Sequence, residues 1–319
     1  MPTTAVARPT NSTIVRTSKR PPLALRALGA SLRALEAGSP DLAARVGVEL
    51  MFRTMRHPST AAERAILAEG ERLTVRSPFG RLAAWSFGSG PTVLLVHGWN
   101  GRGGQLTAFV RPLVERGFRV VTFDAPGHGE SRGNRSSLPD FADAVDVMLD
   151  AAGTPFVPVQ AIIAHSMGGA AVTYAMSRYN RAPTTQRVRA LRHDLPVRRF
   201  AFIAPPVDVR DFVRTFTRMT GLGPATMNEL SHRVESRFAV RLEDLYAPAL
   251  AREMNAPMLV VHDEDDREVP LPCGRLLAES WPGATLEVTH GLGHGRILRD
   301  PGVVERVVSF VSREPATGS

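Results

Sequence analysis

Residues 159–171, VQAIIAHSMGGAA, begin as an apolar run and continue through AHSMGG (164–169) into residues suited to a helix. A sharp strand-to-helix turn that presents a nucleophilic serine is usually written G-x-S-x-G. Small residues flank such a serine because strand and helix approach closely there. In this chain the first glycine is Ala164 and the second is Gly168. A methyl group is the smallest departure from glycine, whereas a β-branched side chain would clash. A helix N-cap would also account for Ser166, but not for the paired small residues. Ser166 is therefore a candidate nucleophile, provided that the rest of the chain supplies a base, an acid and oxyanion donors.

Around this turn the pattern alternates. TVLLVH (92–97), FRVVTFD (118–124), VQAIIAH (159–165), RFAFIA (199–204), PMLVVHD (257–263) and ATLEVTH (284–290) are short apolar runs. Such runs suit strands buried on both faces of a parallel sheet. Helical patterns lie between them, at 105–116, 138–151, 167–179, 274–280 and 301–312. RLTV and LAAWSF flank the turn SPFG (77–80) and predict a hairpin. The fold class expected is α/β, a mostly parallel central sheet with helices on both faces.

Residues 71–205 and 255–312 make the expected core, and 206–254 a helical insertion. Within the insertion Phe212, Phe216 and Met219 recur at helical spacing, a stripe expected both to pack and to roof a pocket. Residues 180–199 predict a basic connection, a solvated loop or short helix. Residues 1–20 are Pro/Thr/Ser-rich and predict a disordered tail, and 313–319 a C-terminal tail. Between them, residues 21–70 predict a helical N-terminal extension. Leu25, Leu28, Leu32 and Leu35 form an apolar stripe there, expected to pack on the main domain. Weak contact of residues 21–56 with an anionic membrane surface is the alternative.

The net charge of +8 is mostly local. Residues 1–56 hold nine Lys and Arg against three acidic residues, so the remaining body is nearly balanced. No basic face coincides with a recognisable nucleic-acid module, and no nucleic-acid partner is expected. The single cysteine, Cys273, excludes an internal disulfide and a cysteine-based metal cage. With no run of 18 apolar residues, a cytoplasmic protein is expected. Neither a metal nor a cofactor is called for.

A serine hydroxyl needs a base, an orienting group and donors for the oxyanion. LLVHGWNGRGG ends a strand at His97 and turns at Gly98, which brings the N–H of Trp99 toward the serine. With the N–H of Met167 it makes an expected two-donor oxyanion hole. Gly101, Gly103 and Gly104 resemble a phosphate loop, but no GK[ST] follows. VVHDEDDREVP offers Asp263, Glu264, Asp265 and Asp266. The spacing does not fit a calcium loop, and Asp266, on the turn before Val269-Pro270, is the expected acid. His294 lies in the flexible GLGHG loop beyond the acid and is the expected base; His290, which closes a strand, is its rival. His97, His128 and His165 are expected to shape turns or bond to backbone.

These segments together resemble the α/β-hydrolase fold superfamily over residues 71–312. The marks are HGW (97–99), FDAPGHGES (123–131), AHSMGG (164–169), DEDDREVP (263–270) and GLGHGRIL (291–298). They follow the order oxyanion loop, nucleophile, acid, histidine. The resemblance implies Ser166 as nucleophile, Asp266 as acid and His294 as base. It gives the oxyanion N–H groups to Trp99 and Met167, and no catalytic role to His128 or Ser131. It also implies that 206–254 is the variable cap, which commonly sets substrate choice. Two departures stand out. Ala164 replaces glycine, and Asp263 stands where many relatives have glycine, leaving the acid open among Asp263, Asp265 and Asp266, with Asp208 in reserve.

The expected activity is that of a serine esterase, hydrolysing carboxylic esters with a hydrophobic acyl or alcohol portion through an acyl-enzyme. A serine nucleophile argues against the dehalogenase and epoxide-hydrolase branches, which use aspartate. Thioester, lactone or C–C hydrolysis and acyl transfer would use the same triad. A non-catalytic binding protein is the alternative of a different class.

Overall fold

The structure is a computed structural model that describes residues 23–153, 159–181 and 197–313. The tail at 1–20, nearly all of the tail at 313–319 and residues 182–196 of the basic connection lie outside the described residues.

One eight-stranded sheet organises the chain. Its strands are β1 (Glu71–Ser77), β2 (Gly80–Phe87), β3 (Thr92–Val96), β4 (Arg119–Phe123), β5 (Val159–His165), β6 (Arg199–Ile203), β7 (Met258–Asp263) and β8 (Ala284–Thr289). The order across the sheet is β1-β2-β4-β3-β5-β6-β7-β8. The β1–β2 hairpin and the β2–β4 pair are antiparallel, and every later pair is parallel. Apolar side chains alternate between two cores: Leu94, Ile162, Phe202 and Val260 enter one, while Leu95, Ile163, Ala201 and Leu259 enter the other. Strands buried on both faces account for the unbroken apolar runs. β8 differs: as the edge strand, most of its residues are only partly buried.

Helices α1 (Leu23–Gly38), α2 (Pro40–Met51) and α3 (Ala61–Glu69) precede the sheet. A 3-10 helix (Gly103–Phe109), α4 (Val110–Glu115), α5 (Leu138–Ala152) and α6 (Met167–Arg181) follow β3, β4 and β5. The insertion after β6 holds α7 (Val209–Thr220), α8 (Pro224–Phe238), a 3-10 turn and α9 (Ala247–Ala251). The last helices are α10 (Leu271–Ser280), α11 (Gly293–Arg296) and α12 (Pro301–Ser312). Local signals mark several starts. Ser137 accepts the N–H of Asp140 at the start of α5, and Thr60 with Glu63 forms a capping box on α3. Among the described residues, no helix is long and apolar enough to cross a membrane.

The N-terminal helices pack on the insertion. Leu28, Leu32 and Leu35 of α1 meet Ala43 of α2 and Leu222 beyond α7. Arg33 donates to the Thr220 carbonyl at 3.0 Å, and Glu36 accepts the Gly223 N–H at 2.7 Å. α2 crosses α8 at Gly47, where an added methyl would stand 3.1 Å from Leu230. Asp41–Arg233 and Glu49–Arg237 ion pairs rim the contact. The insertion's stripe divides accordingly. Phe216 packs toward α1 and α2, and Met219, in the last turn of α7, is half exposed. Only Phe212 of the three borders the pocket described below, because Phe216 and Met219 sit on later turns that have passed beyond it.

Glu63 of α3 and Arg102, just past the Gly98–Gly101 turn, form a buried ion pair at 2.6 Å. Removing one member of such a pair strands a charge away from water. Glu63→Gln is expected to lower the unfolding free energy by about 3 kcal/mol, measured by urea denaturation. A loss below about 1 kcal/mol, the range of surface ion pairs, contradicts this account.

Candidate active site

β5 ends at His165, and α6 begins at Met167. Ser166 between them has φ +53°, a left-handed backbone that costs a non-glycine residue about 1–3 kcal/mol. Two backbone bonds hold it: Ser166 N–H to the Ile203 carbonyl and Gly169 N–H to the Ser166 carbonyl, both 2.9 Å. The crowding around the turn explains its composition. A methyl on Gly168 would fall 2.5 Å from the His97 carbonyl, and one on Gly98 would fall 2.8 Å from the Ser166 Cβ. Ala164 is still within the strand, fully buried, in register with Val96 and Phe202. Its methyl has a place that positions 98 and 168 lack.

The turn after β3 is held by backbone-directed histidines. Ala125 N–H donates to His97 Nε2 at 3.0 Å, so Nδ1 carries the proton and donates to the Gly98 carbonyl at 2.7 Å. Asn100 N–H likewise donates to His128 Nε2 at 3.0 Å, and His128 Nδ1 donates to the Pro126 carbonyl. Burial keeps both rings neutral, holding His97 well below its ordinary value and His128 at about 4. Asn100 Oδ1 accepts the Met55 N–H at 2.8 Å, tying the loop to the N-terminal extension. The Trp99 ring stands edge-on to His128 and Phe212, at 5.3 and 5.4 Å. Met167, as the first residue of α6, has an N–H with no intrahelical partner.

The four adjacent carboxylates sort by partner. Asp266 Oδ1 accepts the N–H groups of Glu268 and Val269 at 2.8 and 2.9 Å. Its Oδ2 remains for His294 Nδ1, at 2.7 Å. Burial opposes the charged Asp266, but the hydrogen bond and charge of His294 and the two N–H groups outweigh it. The net effect holds its carboxyl below the ordinary value. Asp263 is fully buried and turns to the histidine loop, accepting from Thr289 Oγ1 (2.7 Å), Gly293 N–H (2.9 Å) and Leu292 N–H (3.1 Å). Asp265 accepts the Gly291 N–H at 2.9 Å. Glu264 pairs with the rival histidine, His290, at 2.6 Å on the surface. Asp208 caps α7 and pairs with Arg210 at 2.5 Å.

The structure thus brings Asp266 and His294 into contact and sets Ser166 and His294 on the walls of the same two cavities. Among the described residues no hydrogen bond joins the Ser166 hydroxyl to His294. Such bonds are often long in unliganded sites and tighten when substrate binds. His165, beside the serine, donates from Nε2 to the His294 carbonyl at 3.0 Å, and the two rings lie 4.6 Å apart. Burial pushes the His165 ring down to about 3, so it stays neutral. Sequence reading missed the anchoring task of Asp263. The only signal was a carboxylate in place of glycine.

One cavity, of about 270 Å³, runs under the insertion and is mainly apolar, with Leu138, Phe212, Val213, Val234 and Leu245 among its walls. The other, about 950 Å³ and more open, is lined by Asn100, Gln105, Arg296 and Arg299. Ser166, His294 and Trp99 line both and mark their junction. Among the described residues no cluster of His, Cys, Asp and Glu could hold a metal ion.

A family model described as "Alpha/beta hydrolase family" matches residues 93–307. The chain is 30% identical over 243 residues to 2-hydroxy-6-oxononadienedioate/2-hydroxy-6-oxononatrienedioate hydrolase 1 of Dechloromonas aromatica, covering 65% of this chain and 82% of that one. It is 30% identical over 227 residues to the pimeloyl-[acyl-carrier protein] methyl ester esterase of Chromobacterium violaceum, covering 63% and 86%. Among solved structures, an esterase from Exiguobacterium antarcticum superposes with a TM-score of 0.56 at 16% identity, covering 76% of this chain and all of that one.

The Asp263 anchor has a pH signature. Burial alone would raise its carboxyl, but the bonds from Gly293, Thr289, Leu292 and Asp265 outweigh that and hold it below its ordinary value. A depressed folded value contributes stability that is complete above the unfolded value and is lost as the pH falls through the folded one. Asp263→Asn is therefore expected to melt below the wild type at neutral pH, with the gap narrowing in acid. Thermal melts across pH check this, and a gap that widens in acid contradicts it.

Proposed function

The chain belongs to the α/β hydrolase family, and from that premise we propose that it is a serine hydrolase of carboxylic esters with a hydrophobic acyl group. The observation that carries this reading is the 2.7 Å bond from His294 Nδ1 to Asp266, beside a serine in left-handed conformation. That bond fixes the proton on Nδ1 and leaves Nε2 as the base.

Ser166 Oγ attacks the acyl carbon while His294 Nε2 takes its proton. Asp266 holds the imidazole in this tautomer and stabilises the imidazolium. Negative charge on the former carbonyl oxygen is received by the N–H groups of Trp99 and Met167, which need no reorganisation at the moment of reaction. The intermediate collapses, the alcohol leaves with the proton from His294, and the acyl group stays on Ser166. A water, deprotonated by His294, then attacks the ester of Ser166 and releases the acid. The apolar cavity suits the acyl chain, and the open cleft gives the alcohol and the incoming water a way in and out.

Hydrolysis of p-nitrophenyl butyrate tests the assignment. Ser166→Ala and His294→Ala are expected to lower kcat/KM by about 10⁴-fold or more, and Asp266→Asn by about 10³–10⁴-fold. An Asp266→Asn effect below about tenfold removes the acid from the mechanism. Ser166→Ala at near wild-type activity removes the nucleophile.

A further inference from the structure

The apolar cavity beside Ser166 has a wall that neither the core nor the insertion supplies. Met51, the last residue of α2, and Phe52, its C-cap, border it from the N-terminal extension. We propose that these two residues determine which acyl chains the enzyme accepts, a proposal that rests on the serine-hydrolase reading above. The substrate class is then an ester of a short- or medium-chain apolar acid, since 270 Å³ lies just below the range of about 300–1,000 Å³ usual for small-molecule pockets.

Both side chains are nearly inaccessible to solvent, at 4% and 6% exposure, and both line the cavity. Phe52 is also fixed from two directions. Its ring meets Phe238 of α8 edge-on at 5.5 Å, and the Arg237 guanidinium lies 5.6 Å above it. Its carbonyl accepts the Ser136 N–H at 3.0 Å. Two residues on, Thr54 bonds to the Asn134 carbonyl through N–H and to the Gly127 carbonyl through its hydroxyl, at 3.0 and 2.7 Å. The segment is therefore fastened to the core loop on one side and to the insertion on the other. A wall held this way sorts chains by volume, because it cannot yield without breaking one attachment.

Simple packing is the competing account, since both residues also belong to the main core cluster. A packing residue surrounded by protein resists enlargement and leaves substrate choice alone. A residue beside a cavity can grow into it, and the space it takes is lost to the ligand. The two accounts therefore separate by substrate preference and not by stability.

The experiment compares kcat/KM for p-nitrophenyl acetate, butyrate and octanoate in wild type, Met51→Trp and Phe52→Leu. Met51→Trp is expected to lower the octanoate-to-acetate ratio about tenfold or more, because one methylene in such a pocket is worth about 10–200-fold. Phe52→Leu is expected to raise it. Opposite shifts cannot come from general destabilisation. Ratios that stay at the wild-type value, or that move together, overturn the proposal. Should Met51→Trp not fold, Met51→Phe makes the same comparison with a smaller step. If the wild type turns over none of the esters, the hydrolase reading fails. The wall is then tested by the rise in Tm with butyric or octanoic acid. A change in their order between the two variants supports the proposal, and an unchanged order overturns it.

Discussion

The left-handed conformation of Ser166 is the constraint on which the rest of the site depends. A non-glycine residue keeps such a backbone only where its surroundings over-determine it. Here the ends of β3, β5 and β6 do so. Ile203 takes the serine N–H, and the β3 turn passes so close that Gly98 and Gly168 have no room for a methyl. The same crowding sets the Gly98–Trp99 peptide against the serine. Strain, close approach and the proposed oxyanion donors are thus one arrangement, set by three parallel strands ending level with one another.

A second arrangement aims His294, the proposed base. Asp266 is pinned by two backbone N–H groups so that one oxygen faces His294, and Asp263 gathers the N–H groups of the GLGHG loop. The neutral His165 ring adds a bond to the His294 carbonyl from the serine side. The extension before the sheet completes the enclosure. It pairs Glu63 with Arg102 behind the turn after β3, gives Asn100 a partner in Met55, and closes the apolar cavity at Met51 and Phe52.

Much of this is legible in the sequence, for local reasons. Five of the six apolar runs correspond to β3–β7 because strands covered on both faces must be apolar throughout, and the sixth is the partly buried edge strand β8. AHSMGG marks the turn because its small residues answer a steric need within five positions. Asp266 and His294 could be named as acid and base from their order along the chain and the family resemblance, though the acid stayed open among Asp263, Asp265 and Asp266. What stayed hidden depends on contacts between distant segments. Asp263 bonds to N–H groups 29 and 30 residues away, and no pattern around it says so. Arg33 meets a carbonyl 187 residues away, so the docking of the extension on the insertion has no local signature. Phe212, Phe216 and Met219 share a periodicity, yet it does not say which neighbour each one meets. Periodicity gives a face, and only the fold says what lies opposite it.

The central claim is that Ser166 is the nucleophile, and covalent capture tests it most directly. The protein is incubated with a fluorophosphonate, its intact mass is measured, and the modified peptide is mapped. The account predicts a single adduct on Ser166, and none in Ser166→Ala. No adduct, or an adduct on a different residue, would contradict it.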